Sequence, residues 1–200
     1  MNSAFIISFT VTTPQTKNIE YSILKGSKVS VVGSTNINEF SCFSEETYSK
    51  KTAALINNDD QQTIYFKNAI LNVSVKSLDC SNVVMNANLC RTLNAEKFPY
   101  ITIELNNVKA TDGKELKLSE WQHLQADVII TLAGTERRNK IFFSGKETQS
   151  GKYQFVGDHT LSLNDYHIES PTALFGIIKV KDNIKVKVDL LISGNEMIEQ

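Results

Sequence analysis

Three cysteines, three prolines and one tryptophan are all that 200 residues contain. There is no CxxC pair and no Cys/His spacing suited to zinc, so no metal site is expected. The cysteines allow one disulfide plus a free thiol, or three free thiols. An excess of one charge is also missing: 21 Lys and Arg stand against 22 Asp and Glu, a formal charge of −1. The basic residues are scattered, with only short pairs at Lys50-Lys51 and Arg137-Arg138. A nucleic-acid interface would show a basic patch, and no such partner is expected.

Long apolar runs are absent. A membrane span needs about 18–20 apolar residues, and the nearest approach, AFIISFTV at Ala4–Val11, falls well short. No Lys or Arg precedes it and no clear small-residue cleavage site follows, so it makes a poor signal peptide. Either a signal preceded Met1 and has been removed, or this segment is a mature strand. Linkers, low-complexity segments and internal repeats are missing too, which suits a single domain large enough to bury a core. Catalytic signatures are lacking: no nucleophile elbow, no HExxH, no phosphate-binding glycine loop and no triad. His123, His159 and His167 are far apart in sequence. Asp165 with His167 reads as turn chemistry, and Glu45-Glu46 and Asp59-Asp60 read as solvated turns. No enzyme and no cofactor are expected.

What the chain has in abundance is alternation, the mark of half-buried strands. Val29 and Val31 share one face, as do Ile64 and Phe66. Leu71, Val73 and Val75 share another, with Asn72 and Ser74 opposite. Ile101, Ile103 and Leu105 alternate with Thr102, Glu104 and Asn106. The clearest case is NIKVKVDLLIS, with Ile184, Val186, Val188, Leu190 and Ile192 facing one way and Lys185, Lys187 and Asp189 the other. Turn-forming residues separate these runs at Asn57–Gln62, Ala110–Glu115, Ala133–Lys140, Glu147–Lys152 and the tight connection Lys181–Asn183. This pattern predicts antiparallel β structure, either sandwich or barrel, of roughly eight to ten strands, enough to close a barrel and remove the exposed edges.

The stretch SLDCSNVVMNANLCRTLNAEKFPYITI, Ser77–Ile103, interrupts that rhythm. Ser81 or Asn82 can cap a helix. Met85, Leu89 and Leu93 recur at one helical face, with Asn86, Arg91 and Asn94 away from it. Pro99 disfavours helical geometry at Phe98 and forces the exit. One short helix near residues 82–95 is expected, placed across a barrel end.

These residues resemble the YceI-like family. The matching blocks are Ser77-Leu78-Asp79-Cys80, then Met85, Arg91-Thr92-Leu93, and Lys97-Phe98-Pro99-Tyr100-Ile101. VVGSTNINEFSCF at Val31–Phe43 matches an early strand pair through Gly33, Thr35, Asn36, Asn38 and Phe40. Leu132-Ala133-Gly134-Thr135 resembles a later hairpin. The closing block matches through Asp165, Tyr166, Ile168, Pro171, Gly176, Lys179, Val180 and Asp182. Cys42 and Cys80 are similar to one sub-branch. Cys90 replaces a residue that is usually charged, and Ser170-Pro171 stands for Pro-Pro.

The resemblance implies an all-β, antiparallel lipocalin-like β-barrel of about eight strands. It covers residues 27–193 as one domain, with 1–26 as an N-terminal segment or leading strand and 194–200 as a tail. It implies export to the periplasm or beyond, and an apolar small molecule, an isoprenoid among the candidates, held in the interior. Oxidising export favours a Cys42–Cys80 disulfide; the alternative is two buried thiols packing as small apolar groups. Cys90 is read as semi-buried and inert.

For a lipid-binding barrel, the candidate wall is the dry strand face: Leu71, Val73, Val75, Ile101 and Ile103 on one side, Phe155, Leu161, Val186, Val188 and Leu190 on the other. Phe155 and Phe175 are large enough to narrow it. Met85, Leu89 and Leu93 touch the ligand if the helix is a gate, and fill the core if it is a plug. The competing reading is a filled barrel that binds another protein through its surface. The sequence leaves the oligomeric state open.

Overall fold

The computed structural model describes residues 15–44, 50–57, 62–173 and 177–196. Ala4–Val11, the acid pairs Glu45-Glu46 and Asp59-Asp60, most of the Asn57–Gln62 turn, Gly176 and Phe175 lie outside them. In chain order the elements are β1 (Gln15–Ile23), β2 (Lys28–Ser34), β3 (Glu39–Ser44), β4 (Lys51–Asn57), β5 (Thr63–Ser74), α1 (Val83–Thr92), β6 (Tyr100–Ala110), β7 (Gln122–Leu132), β8 (Thr135–Gln149), β9 (Lys152–Ser162), β10 (Thr172–Ala173), β11 (Ile178–Lys179) and β12 (Asn183–Glu196).

The paired strands are antiparallel. Running β1-β4-β5-β6-β7-β8-β9-β12, the order returns to β1 and closes a ring of eight. Of the sandwich and the barrel that the alternation allows, the chain forms the barrel. The seam is double. β12 pairs with β1 through Ile192–Glu196 and with β2 through Lys185–Asp189. At the helix end, closure runs instead through the β2–β3 hairpin, whose Phe43 bridges Asp79 just beyond β5. The Cys42–Cys80 disulfide sits beside that bridge.

The inner face is fixed by β7, where Leu124, Ala126, Val128, Ile130 and Leu132 are all buried. Directly paired residues share a face, so the register carries this assignment around the ring. Ile130 pairs Ile103, which pairs Leu71. Leu124 pairs Phe143, which pairs Gly157, which pairs Val188. Two bulges explain why the apolar parity changes along single strands. Asn68, at φ 63°, separates Ile64 and Phe66 from Leu71 and Val73. A shift between Leu105 and Asn107 separates Ile101, Ile103 and Leu105 from Val108 and Ala110. An extra residue on one strand resets the alternation.

Three local expectations need correction. The helix runs over Val83–Thr92, shorter than 82–95. It stops at Asn94 (φ 49°), whose N–H bonds Arg91 O while Ala95 N–H reaches Cys90 O at 2.8 Å. That is a Schellman ending with Asn in place of Gly, so Pro99 is not what ends it. The turn expected across Ala133–Lys140 is only Ala133-Gly134, both at positive φ, as a two-residue hairpin loop requires. Lys181–Asn183 is not a hairpin. Its flanking strands pair elsewhere, β11 with β10 and β12 with β9 and β2. The Asp182 carboxylate accepts from Ser162 Oγ at 2.6 Å and Asn164 N at 2.8 Å, tying the segment to the end of β9.

Candidate ligand-binding barrel

The inner surface is unevenly filled. One apolar cluster combines the β7 residues with Val75, Leu93, Ala95, Val108, Leu161, Leu163, Tyr166, Ile168 and Ile184. Leu124 is 1% exposed and Ala126 0%. Elsewhere on the ring, inward side chains keep intermediate exposure: Leu71 on β5, Ile103 on β6, and Val188, Leu190 and Ile192 on β12. Apolar groups on an inner face that still meet solvent mark space that this chain's own side chains leave unfilled.

The predicted wall residues divide along this line. Val75, Leu93 and Leu161 are buried members of the large cluster, and Leu89, Ile101, Ile103, Phe155 and Val186 pack against it. Val73 is 1% exposed. Leu71, Val188 and Leu190 lie outside that cluster on the half-exposed side. Met85 packs instead against the second cluster, Cys42, Leu78 and Cys80, together with Leu89, Phe40, Val31 and Ile101. The helix thus joins two cores through Leu89. Asn82 caps it by accepting from Met85 N at 3.0 Å. Asn86, expected away from the apolar face, turns back: its Nδ2 donates to Asp79 Oδ1 and its Oδ1 accepts from Cys80 N. The Asn86 amide, with the Ser81 N–H, holds the Asp79 carboxyl below its usual range.

Cys42 and Cys80 are joined, S–S 2.01 Å, and Cys90 is a half-buried free thiol. Gly33 lies opposite Phe40; a Cβ there would stand 2.3 Å from the Phe40 ring. The close approach lets that ring lie flat over β2, which any larger residue would prevent.

Two breaks interrupt the wall, neither legible in the sequence. The β4–β5 ladder ends at Ala54–Lys67. Beyond it, Tyr21 reaches from β1 past β4. Its hydroxyl donates to Ile70 O and accepts from Ile70 N, both at 2.9 Å. Lys51 Nζ also donates to Ile70 O, at 3.1 Å. One side-chain hydroxyl so replaces a ladder partner. Burial pushes the Tyr21 phenol above its ordinary value, against a smaller pull from the Ile70 backbone, so it remains a neutral donor and acceptor. Outside this break lies a cavity of about 410 Å³, lined by Glu20, Lys50, Lys51, Thr52, Asn68, Ile70 and Asn72.

The second break is between β8 and β9, whose ladder ends at Phe143–Gly157. Past that point Asn139 bridges the gap. Its Nδ2 donates to Tyr166 Oη at 3.1 Å, and His159 Nε2 lies 3.2 Å from its Oδ1. Tyr166 is 2% exposed. Burial raises the Tyr166 phenol and lowers the His159 imidazole from their ordinary values. A cavity of about 400 Å³ borders the end of this ladder, with His123, Phe142 and Asp158 among its walls.

The three histidines do not converge: His123 meets Ser144, His159 meets Asn139, and His167 meets Arg137. Among the described residues no group of three metal-capable side chains comes together, and no helix is long and apolar enough to cross a membrane.

The YceI-like domain model matches residues 11–192. Among solved structures, a polyisoprenoid-binding domain from Saccharophagus degradans implicated in plant cell wall breakdown superposes with a TM-score of 0.61 at 11% identity. That match covers 88% of this chain and 98% of the other. BcnA of Burkholderia cenocepacia gives 0.54 at 14% identity, over 82% and 95%. At these identities the likeness is one of fold. No curated protein matches the chain in sequence.

Proposed function

This chain belongs to the YceI-like family, and from that membership we propose that it is a non-enzymatic exported carrier holding one long apolar molecule inside the barrel. The observation that carries this reading is the half-exposed apolar inner wall formed by Leu71, Ile103, Val188 and Leu190. A hydrocarbon chain laid there loses contact with water at a gain of about 0.8 kcal/mol per buried methylene. An isoprenoid fits, being long, apolar and free of groups that need internal partners. The Saccharophagus degradans domain, described as polyisoprenoid-binding, shares the architecture. The Cys42–Cys80 disulfide supports an oxidising compartment such as the periplasm or the exterior.

Native mass spectrometry on untreated protein, followed by organic extraction, tests the reading. The expected result is a one-to-one adduct that extracts as a long apolar molecule. Protein that stays at its bare mass, after incubation with a long-chain isoprenoid alcohol as well, contradicts it and favours the barrel as a protein-interaction module.

A further inference from the structure

The break between β4 and β5 carries more than a structural role. On the ring, β1 and β4 place Tyr21 opposite Lys51, and Tyr21 lies two residues from Ile23, which pairs the inward Ile192. Both side chains therefore start on the inner face. Lys51 nevertheless lines the cavity on the outside, together with outward residues Thr52 and Asn72. An inner-face side chain can line an outer cavity only where the wall between is open. What holds that opening shut among the described residues is the Tyr21 hydroxyl, on Ile70 N and O, and the Lys51 ammonium, on Ile70 O.

The two lysines there differ. Lys50 Nζ is 2.7 Å from Glu20 and is neutralised by it. Lys51 has a neutral carbonyl as its hydrogen-bond partner, so its charge is compensated less well and suits an anion. The half-exposed apolar wall lies directly behind, since Leu71 adjoins Ile70 and faces inward.

We propose that this break is a side entrance for an amphiphile with an anionic head, a carboxylate or a phosphate ester. Lys51 receives the head, and Tyr21 is the latch that the entering tail displaces. The assignment rests on the carrier reading above and adds to it the ligand's head group and its route. No covalent step is involved. The Tyr21 hydroxyl swings away as the tail passes, water taking over its two hydrogen bonds at Ile70, and the head exchanges one hydrogen-bonded partner of Lys51 for a charged one, which makes a stronger bond.

The test compares oleate with oleyl alcohol, which differ at the head alone. Equilibrium dialysis gives affinities and stopped-flow mixing gives entry rates, for the full chain and four variants. Oleate is expected to bind at least about fivefold more tightly than the alcohol. Lys51→Gln should abolish that preference. Lys51→Arg should keep it, as should Lys185→Gln, a loss of surface charge on β12. Tyr21→Phe should speed entry and exit of both ligands while leaving their ratio unchanged. Equal affinities in the unmodified chain, a preference that survives Lys51→Gln, or unaltered rates in Tyr21→Phe would overturn the entrance and leave the carrier standing. Failure of both ligands to bind overturns entrance and carrier together.

Discussion

Between β8 and β9 the ladder stops at Phe143 and Gly157, and between β4 and β5 it stops at Ala54 and Lys67; Asn139 crosses the first gap, holding His159 and the Tyr166 hydroxyl, and the Tyr21 hydroxyl crosses the second. The surroundings differ. Tyr166 is sealed among Leu163, Ile168 and the β7 wall, and its partner Asn139 is itself held by His159. Tyr21 is half-exposed at its break, shares the Ile70 carbonyl with Lys51 alone among the described residues, and lies beside a cavity edged by lysines. A gap filled by a packed ring and a connected polar network is a repair of the wall. A gap spanned by one hydroxyl in front of an unfilled interior is a place where the wall can open. The same contrast runs through the whole barrel, with β7 dry along its length and β5, β6 and β12 incompletely covered.

The largest effect that separates the two sides comes from truncation. Leu124→Ala should cost about 4 kcal/mol in urea unfolding, because a full side chain is removed from a closed core. Leu71→Ala should cost only about 1 kcal/mol, since part of that side chain already meets solvent, while weakening ligand binding. Equal costs would erase the distinction between the walls. Next in size is the disulfide. Replacing Cys42 and Cys80 together by serine should cost about 3 kcal/mol, as a 38-residue separation is released. The loss should fall on the helix end, where hydrogen exchange at Phe43, Asp79 and α1 rises first.

The tyrosines themselves sharpen the comparison at smaller scale. Tyr166→Phe leaves the Asn139 amide short of a buried partner and should lower stability by about 1–2 kcal/mol. Tyr21→Phe should cost less than about 1 kcal/mol, since water can reach Ile70. Smallest is a pH effect at the repaired break. Burial lowers the His159 pKa in the folded chain. The unfolded chain therefore binds a proton first as pH falls through about 6.5, so stability declines below neutrality and levels off under the folded pKa. His159→Gln should flatten that slope in thermal melts between about pH 7 and 5.

Much of this architecture was readable from residues alone. The alternation at Ile184–Ile192 defines β12, and Met85, Leu89 and Leu93 mark the helix. What periodicity could not give is the third dimension of each wall. Leu71 and Val73 look alike in sequence, two residues apart on one face, yet one is half-exposed and the other buried. That difference depends on what stands across the barrel. Tyr21 carried no signal at all, because its partner Ile70 is 49 residues away and the bond is made to backbone. The helix end was misplaced for a simpler reason: an Asn in left-handed geometry did what the later proline was expected to do.

On the proposed carrier reading, the incompletely covered wall receives an apolar chain and the dry wall does not. Methyl NMR of isoleucine, leucine and valine side chains during titration with oleyl alcohol tests it most directly. Shifts are expected at Leu71, Ile103, Val188 and Leu190, with Leu124, Val128 and Leu132 nearly still. Saturating probe with no shift on the inner face, or shifts confined to exposed residues such as Ile37 and Val84, would rule it out.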